Sequence, residues 1–247
     1  MKRIVLPAVL ILIIFLFSGC SSFKEGNDDE AIKEAIRICN ERYGTEFILK
    51  KKAKYPKGVP CDVTVTSDDL PGKDIRIFRG TKLDPVNCDY IYQKYSDKAY
   101  DLIVDTLSGV VPAGSKIVPT EFNYNHFANQ SYDADTTLED YLQDNDLMIY
   151  VFVEEDLSRG LLRTTYRDCG RALLEAGIDC KELDIFTCGS GSDFKAIKVY
   201  DHIPELMEYQ LPLDRIKGRA QSSNSDGLKE SMEEFEKYDS VNIIVKE

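Results

Sequence analysis

Two histidines, His126 and His202, are the side chains of this sequence whose ordinary titration lies near neutral pH, so any Ser-His-Asp or Cys-His device must use one of them. His126 sits in EFNYNHFANQ, where Phe122, Tyr124 and His126 alternate onto one face of an extended segment. That face is either a binding surface carrying a titratable group or an aromatic strand packed on a helix, with His126 at its rim. His202 lies between Tyr200-Asp201 and Ile203-Pro204 and reads as a turn residue. Tyrosine is abundant, 14 residues, and tryptophan is missing. Tyr90, Tyr92 and Tyr100 fall off the apolar face of a helical pattern and are expected to point partly outward, an arrangement suited to protein or glycan contact. Tyr124, His126 and Tyr92 are thus the candidate binding residues.

No catalytic residue is specified. In CGSGSDF the serine stands between glycines without GxSxG spacing, and no Gly-Lys-Ser/Thr continues it into a phosphate loop. The glycines read as a hairpin turn. Acids gather in SYDADTTLEDY at Asp133, Asp135, Glu139 and Asp140, where alternating oxygens could hold calcium. Counted from Asp133, however, the sixth and twelfth loop positions are Leu138 and Asp144, where an EF-hand needs Gly and Glu. A solvated loop with Asp135 or Thr136 capping a short helix is the simpler reading. With 43 acidic residues, choosing any pair for glycoside hydrolysis would be arbitrary.

Apart from Cys20, six cysteines remain: Cys39, Cys61, Cys88, Cys169, Cys180 and Cys188. Outside the cytoplasm an even set permits disulfides, and position at element edges favours Cys61 with Cys88 and Cys180 with Cys188. Cys39 and Cys169 lie on apolar helix faces, where a thiol serves equally as a small hydrophobe. No Cys/His spacing suggests zinc, and no cofactor is implied.

The elements that must position these groups follow from periodicity. Ile32, Ala35, Ile36, Cys39 and Tyr43 mark a helix opened by acids at 28–30 and closed by Gly44. Strands are expected near 46–52, 61–67 and 74–79, then a helix over 87–106 packing on that first sheet. GVVPAGS, Gly109 to Ser115, lacks periodicity and is the expected domain boundary. Beyond it the pattern gives a strand at 116–124, a short helix at 138–142 and a buried strand at 147–153. A helix over 157–176 follows, then a hairpin of 183–188 with 194–200, a polar loop RAQSSNSDG, a helix at 228–237 and a strand at 240–245. The expected class is α+β: mixed sheets with packed helices in two sub-domains, 30–110 and 111–247.

The N-terminus is the most specific stretch. Lys2 and Arg3 precede an apolar run from Ile4 to Phe17, shorter than the about 20 apolar residues needed to span a bilayer, and the run exits through Ser18-Gly19-Cys20. Phe17-Ser18-Gly19-Cys20 resembles the lipobox of bacterial lipoproteins, with Phe17 where leucine is commoner. The resemblance implies cleavage after residue 19 and a thioether-linked diacylglycerol on Cys20; the polar residues that follow, with Gly26 among them, read as a tether over 20–29. Two acyl chains, at about 0.8 kcal/mol per methylene, anchor stably where one is marginal.

The chain carries 31 basic and 43 acidic residues, net −12, and loses two more cations with the leader. That balance argues against nucleic acid and against electrostatic docking on anionic lipid. The reading is a lipid-anchored protein on the extracytoplasmic face of the cell membrane, acting as a binding or envelope-associated module whose partner is an envelope protein or glycan. An envelope hydrolase using carboxylate chemistry is the alternative, and a calcium-stabilised structural protein the third.

Overall fold

The computed structural model describes residues 28–53, 59–121, 131–143, 147–188, 192–199, 203, 217–222, 227–238 and 241–245. Helix α1, Asp29–Tyr43, starts where the Asp28 carboxylate accepts the Glu30 N–H at 3.0 Å, and it stops at Gly44, whose φ of 64° returns its N–H to the Asn40 carbonyl. Its acidic first turn complements the helix dipole. Ile32, Ala35, Cys39 and Tyr43 form its buried stripe, as the spacing predicts.

That stripe belongs to a unit spanning Met1–Cys88, separate from a second unit, Asp89–Glu247. The first unit holds a four-stranded antiparallel sheet in sequence order: β1 Ile48–Lys52, β2 Cys61–Thr66, β3 Ile75–Arg79 and β4 Asn87–Cys88. Val63, Val65, Ile75 and Ile77 are fully buried, and each contributes about 1.5–3 kcal/mol against the entropy of ordering it. Asp62 points to the opposite face, where the Arg76 guanidinium grips both carboxylate oxygens at 2.9 Å.

The chain is α+β, as composition and pattern indicate, but the units part at Cys88 rather than at 109–115. Helix α2, Tyr90–Ser108, packs in the second unit against β5 Lys116–Glu121, α3 Leu138–Leu142 and α4 Arg159–Glu175, not on the first sheet as expected. The second sheet runs β5, β6 Leu147–Val153, β7 Glu182–Thr187, β8 Gly218–Ser222, β9 Val241–Val245. Only β6 and β7 are parallel, joined through α4 as a βαβ crossover. Every residue of β6 is buried, which a strand covered on both faces requires.

One face carries Val118, Met148, Tyr150, Phe152, Phe186 and Cys188, closed by Phe194 and Ile197 from the short helix α5, Ser192–Lys195, and its exit. Phe152 stacks on Phe186 with ring centres 5.1 Å apart. Lys116 fastens this cover by donating to the carbonyls of Phe194 and Ile197, both at 2.7 Å. Of the strand expected at 194–200, the described residues 194–199 do not form one: Phe194 and Ile197 recur at helical spacing and plug the sheet face. The strand beside β7 is instead β8, in a stretch read as loop, and α6, Leu228–Tyr238, then leads into β9.

The expected disulfides do not form. All six described cysteines are buried, and none is joined in a disulfide. Cys61 on β2 and Cys88 on β4 flank β3, two inter-strand spacings of about 4.8 Å apart, beyond the about 6.8 Å Cα limit of a disulfide. Cys180 and Cys188 bracket the whole of β7, whose extended residues alone span about 17 Å at about 3.3 Å per residue, well beyond the reach of a disulfide.

Two outcomes test this packing. Alkylation and peptide mass analysis of the non-reduced protein should find no Cys61–Cys88 or Cys180–Cys188 linkage. A Cβ on Gly170 would stand 2.4 Å from the Met232 sulfur, so Gly170→Val should cost about 1–3 kcal/mol by urea denaturation. The cost should shrink in a Met232→Ala background, as a double-mutant cycle would read.

Candidate functional site

The last turns of α4 and the facing side of α6 enclose an open groove of about 830 Å³. Both walls are fixed by short-range structure. Ser158 caps the start of α4 by accepting the Leu161 N–H, and at the other end Gly177, at φ 78°, lets the Ile178 N–H reach back to the Leu173 carbonyl at 2.9 Å. The start of α6 is pinned by Leu228 N–H on the Cys180 carbonyl at 2.7 Å and by Lys229 N–H on the Asp179 carboxylate at 3.1 Å. Gly170 then lets α6 lie against α4 at Met232.

The groove floor is apolar, with Leu174 half-buried and Ile178 and Met232 buried. Its rim is charged: Arg171 donates to Glu236 at 2.7 and 3.0 Å, and Glu175, Glu233 and Lys229 stand exposed beside that pair. Glu175 and Glu233 make no ion pair among the described residues. Four carboxylates, counting Asp179, against two cations give the groove a negative balance over an apolar base. Such a surface favours a ligand with a cationic and an apolar part.

A second constellation lies on the second sheet. Glu182, Asp184 and Phe186 share one face of β7, and Arg219 of β8 stands across from Phe186. Arg219 donates to Asp184 Oδ2 at 2.6 Å and to Glu182 Oε1 at 3.1 Å, while its guanidinium carbon lies 5.3 Å above the Phe186 ring. Asp184 is 0% exposed, and its Oδ1 has no hydrogen-bond partner, nor has Arg219 Nε. Burial drives the Asp184 pKa well above the carboxylate range; Arg219 pulls it down, but Glu182 adds to the rise and desolvation wins. Tyr150, its register partner on β6, is likewise pushed up by burial and by the two neighbouring acids. Converging, perturbed titratable groups are a functional signal. A buried ion cluster inside a core shows the same perturbation, and neither described cavity touches Asp184.

The residues singled out from sequence fall elsewhere. Cys20, Tyr124, His126 and His202 lie outside the described residues. Tyr92 is half-buried, its hydroxyl donating to the Ile203 carbonyl at 2.6 Å, and Tyr90 is buried rather than outward-facing. The acid loop is occupied by its own backbone. Asp133 accepts the Asp135 N–H at 2.9 Å, and Thr137, one residue beyond the expected cap, forms a capping box with Asp140. The Thr137 N–H and hydroxyl hold Asp140 below its usual pKa. A cavity of about 500 Å³ opens beside this loop. Among the described residues no group of His, Cys, Asp and Glu has metal-holding geometry.

Sequence reading missed both the groove and the acid pair. The pair left a trace: in KELDIF, Glu182 and Asp184 occupy alternate positions of a strand whose other residues are apolar. The groove left none, because α4 and α6 are far apart in the chain.

No protein-family model matches the chain, and no curated protein matches it. One solved structure, a DUF5037 family protein from Ruminococcus gnavus, aligns over 83% of this chain and 98% of its own with 13% identity and a TM-score of 0.38.

The acid pair makes a pH-dependent prediction. Because folding raises the Asp184 pKa above its usual 3.8, the native state holds the proton where the unfolded chain has released it. The stability so gained is full below that usual value and is lost as pH rises through the folded one. Asp184→Asn removes the effect, so the urea midpoint of the wild type relative to this variant should fall between pH 4 and pH 8. Arg219→Met should cost about 3–5 kcal/mol at pH 7 by stranding the buried carboxylate, and less at pH 4.

Proposed function

We propose that this protein is an extracytoplasmic lipoprotein, held at the cell membrane by diacylglycerol on Cys20, that works as a binding module. The observation that carries the location is the leader: two cations, an apolar run too short to span a bilayer, and Phe17-Ser18-Gly19-Cys20. Helix α1 begins at Asp29, so the tether 20–28 reaches at most about 30 Å, at 3.3–3.6 Å per residue. Among the described residues no helix is long and apolar enough to cross a membrane. The α4–α6 groove supports the binding role, and its apolar floor beneath an acidic rim suits a partner with a cationic group, from an envelope protein or a glycan carrying amines. The acidic balance of the chain disfavours nucleic acid.

A carboxylate hydrolase is the second reading, favoured by the perturbed Asp184 beside Glu182. It requires substrate or water to reach Asp184 Oδ1, which is enclosed.

In cells labelled with a radioactive fatty acid, the wild type should appear as a labelled, shortened band in the membrane fraction. Cys20→Ala should be unlabelled and retain its leader or appear in the soluble fraction; an unchanged labelled band would sink the anchor. For the groove, a methyl-resolved NMR screen of cationic, neutral and anionic fragments should place cationic hits at Leu174, Ile178 and Met232. Hits scattered over the surface, or none, would remove it as the binding site.

A further inference from the structure

The start of α1, the end of β1, the start of β2 and the end of β3 meet at one end of the first unit. The Asp28 N–H donates to the Pro60 carbonyl at 3.2 Å, just before β2, and Lys52, the last residue of β1, pairs with Asp29. Cys61 opens β2 opposite Arg79, the last residue of β3, so the turn from β3 to β4 leaves from the same end. That turn is wound around a leucine. Arg79 donates from Nη2 to the Lys82 carbonyl at 2.6 Å and from Nε to the Asp84 carbonyl at 2.8 Å, one residue to either side of Leu83. The Thr81 hydroxyl accepts the Leu83 N–H at 3.2 Å. Held in this way, Leu83 is 97% exposed, whereas no other large apolar side chain among the described residues exceeds 57%. The guanidinium fixes the backbone of the turn and leaves its apolar tip nothing of its own unit to pack on.

We infer that this end of the first unit is a membrane-contact surface, with Leu83 entering the boundary between headgroups and acyl chains and Lys82 reaching the phosphates beside it; the inference rests on the Cys20 anchor. The tether selects the bilayer as the occupant. Residues 20–28 span at most about 30 Å at 3.3–3.6 Å per residue, and they join the unit at Asp28, so the end that carries Leu83 is the end the acyl chains draw toward the lipid. Charge permits the approach. The chain as a whole is net −12, but at this end Lys51, Lys52, Arg79 and Lys82 offset Asp28, Asp29, Glu30 and Asp84. One leucine with no net electrostatic attraction does not hold a protein on a bilayer by itself. The anchor supplies the effective concentration at which so weak a contact is populated, and the contact in turn fixes which end of the unit faces the lipid. Lys82, exposed next to Leu83, lays its methylenes along the interface and keeps its ammonium among the headgroups, as long cations do there.

The depth of residue 83 tests the contact. Full-length Leu83→Cys, purified from membranes, is labelled with an environment-sensitive fluorophore and reconstituted into phosphatidylcholine–phosphatidylglycerol vesicles with and without doxyl-labelled lipid. Asp68→Cys is treated in the same way. Asp68 is exposed in the turn from β2 to β3, at the other end of the sheet, about 17 Å away along β2 at about 3.3 Å per residue. The wild type, whose described cysteines are buried, gives the background labelling. The expected result is a blue shift in the vesicles and a loss of fluorescence to the doxyl lipid at residue 83, with neither at residue 68. If the protein floats with the vesicles and residue 83 is not quenched, or is quenched no more than residue 68, the contact is overturned and the anchor stands. Protein that does not float with the vesicles overturns the anchor and the contact together. Both substitutions are at exposed positions, and unchanged circular dichroism melting of the labelled variants excludes misfolding as the cause of either result.

Discussion

Strand β6 is buried at all seven of its positions, and covering both of its faces is the constraint from which the second unit is built. An apolar strand with two inward faces needs a layer on each side. The helical layer comes from α4, which runs between the parallel strands β6 and β7, and from α2 and α6 around it. Among the described residues the other layer comes from Phe194 and Ile197, held down by Lys116 donating to their backbone carbonyls. Burial lowers the Lys116 pKa, yet two carbonyls satisfy the ammonium well enough for it to act as the clasp.

The two functional candidates are consequences of that layering. α6 lies against α4 to complete the helical cover, with Gly170 meeting Met232, Tyr166 meeting the Phe235 ring and Arg171 bridging to Glu236. The groove opens along the rim of that contact, between the end of α4 and the exposed side of α6. On the other face, Asp184 stands beside Tyr150 of the aromatic cluster, and Arg219 arrives from β8 over the Phe186 ring to meet it and Glu182. The cluster is therefore a local compromise: Arg219 neutralises charge, while one oxygen of Asp184 remains without a partner. Cores that keep such a group retain it at a cost in stability, which is why it counts as a functional signal even where enclosure argues for a structural role.

Much of the fold was legible because it is locally encoded. The limits of α1 follow from Asp28 and Gly44, those of α4 from Ser158 and Gly177, and β6 from an unbroken apolar run. β8 was not legible. In GRAQS only Ala220 is buried and apolar, and the first position is glycine because a Cβ at 218 would meet Thr187 Oγ1 at 2.9 Å and Leu162 Cδ1 at 3.2 Å. Its neighbours β7 and β9 make it a strand by taking up both of its hydrogen-bonding edges, which no side-chain alternation announces. Residues 194–197 failed in the opposite sense: an apolar, β-prone stretch became a helical plug because β7 already had a partner on each side. The domain limit was displaced for a related reason, since α2 belongs with the surfaces that bury its apolar stripe rather than with the strands that precede it.

The sequence by itself determined the class of fold, the capped helices and the apolar strands, because each is written in residues a few positions apart. Only the tertiary structure decided which cysteines could meet, which strand lies between β7 and β9, and where a cavity opens. These depend on distances between segments far apart in the chain, and spacing along a sequence carries no measure of distance across a sheet or between two helices. Cys180 and Cys188 illustrate the difference: eight residues apart in the chain, they are held at opposite ends of β7 because the backbone between them is extended.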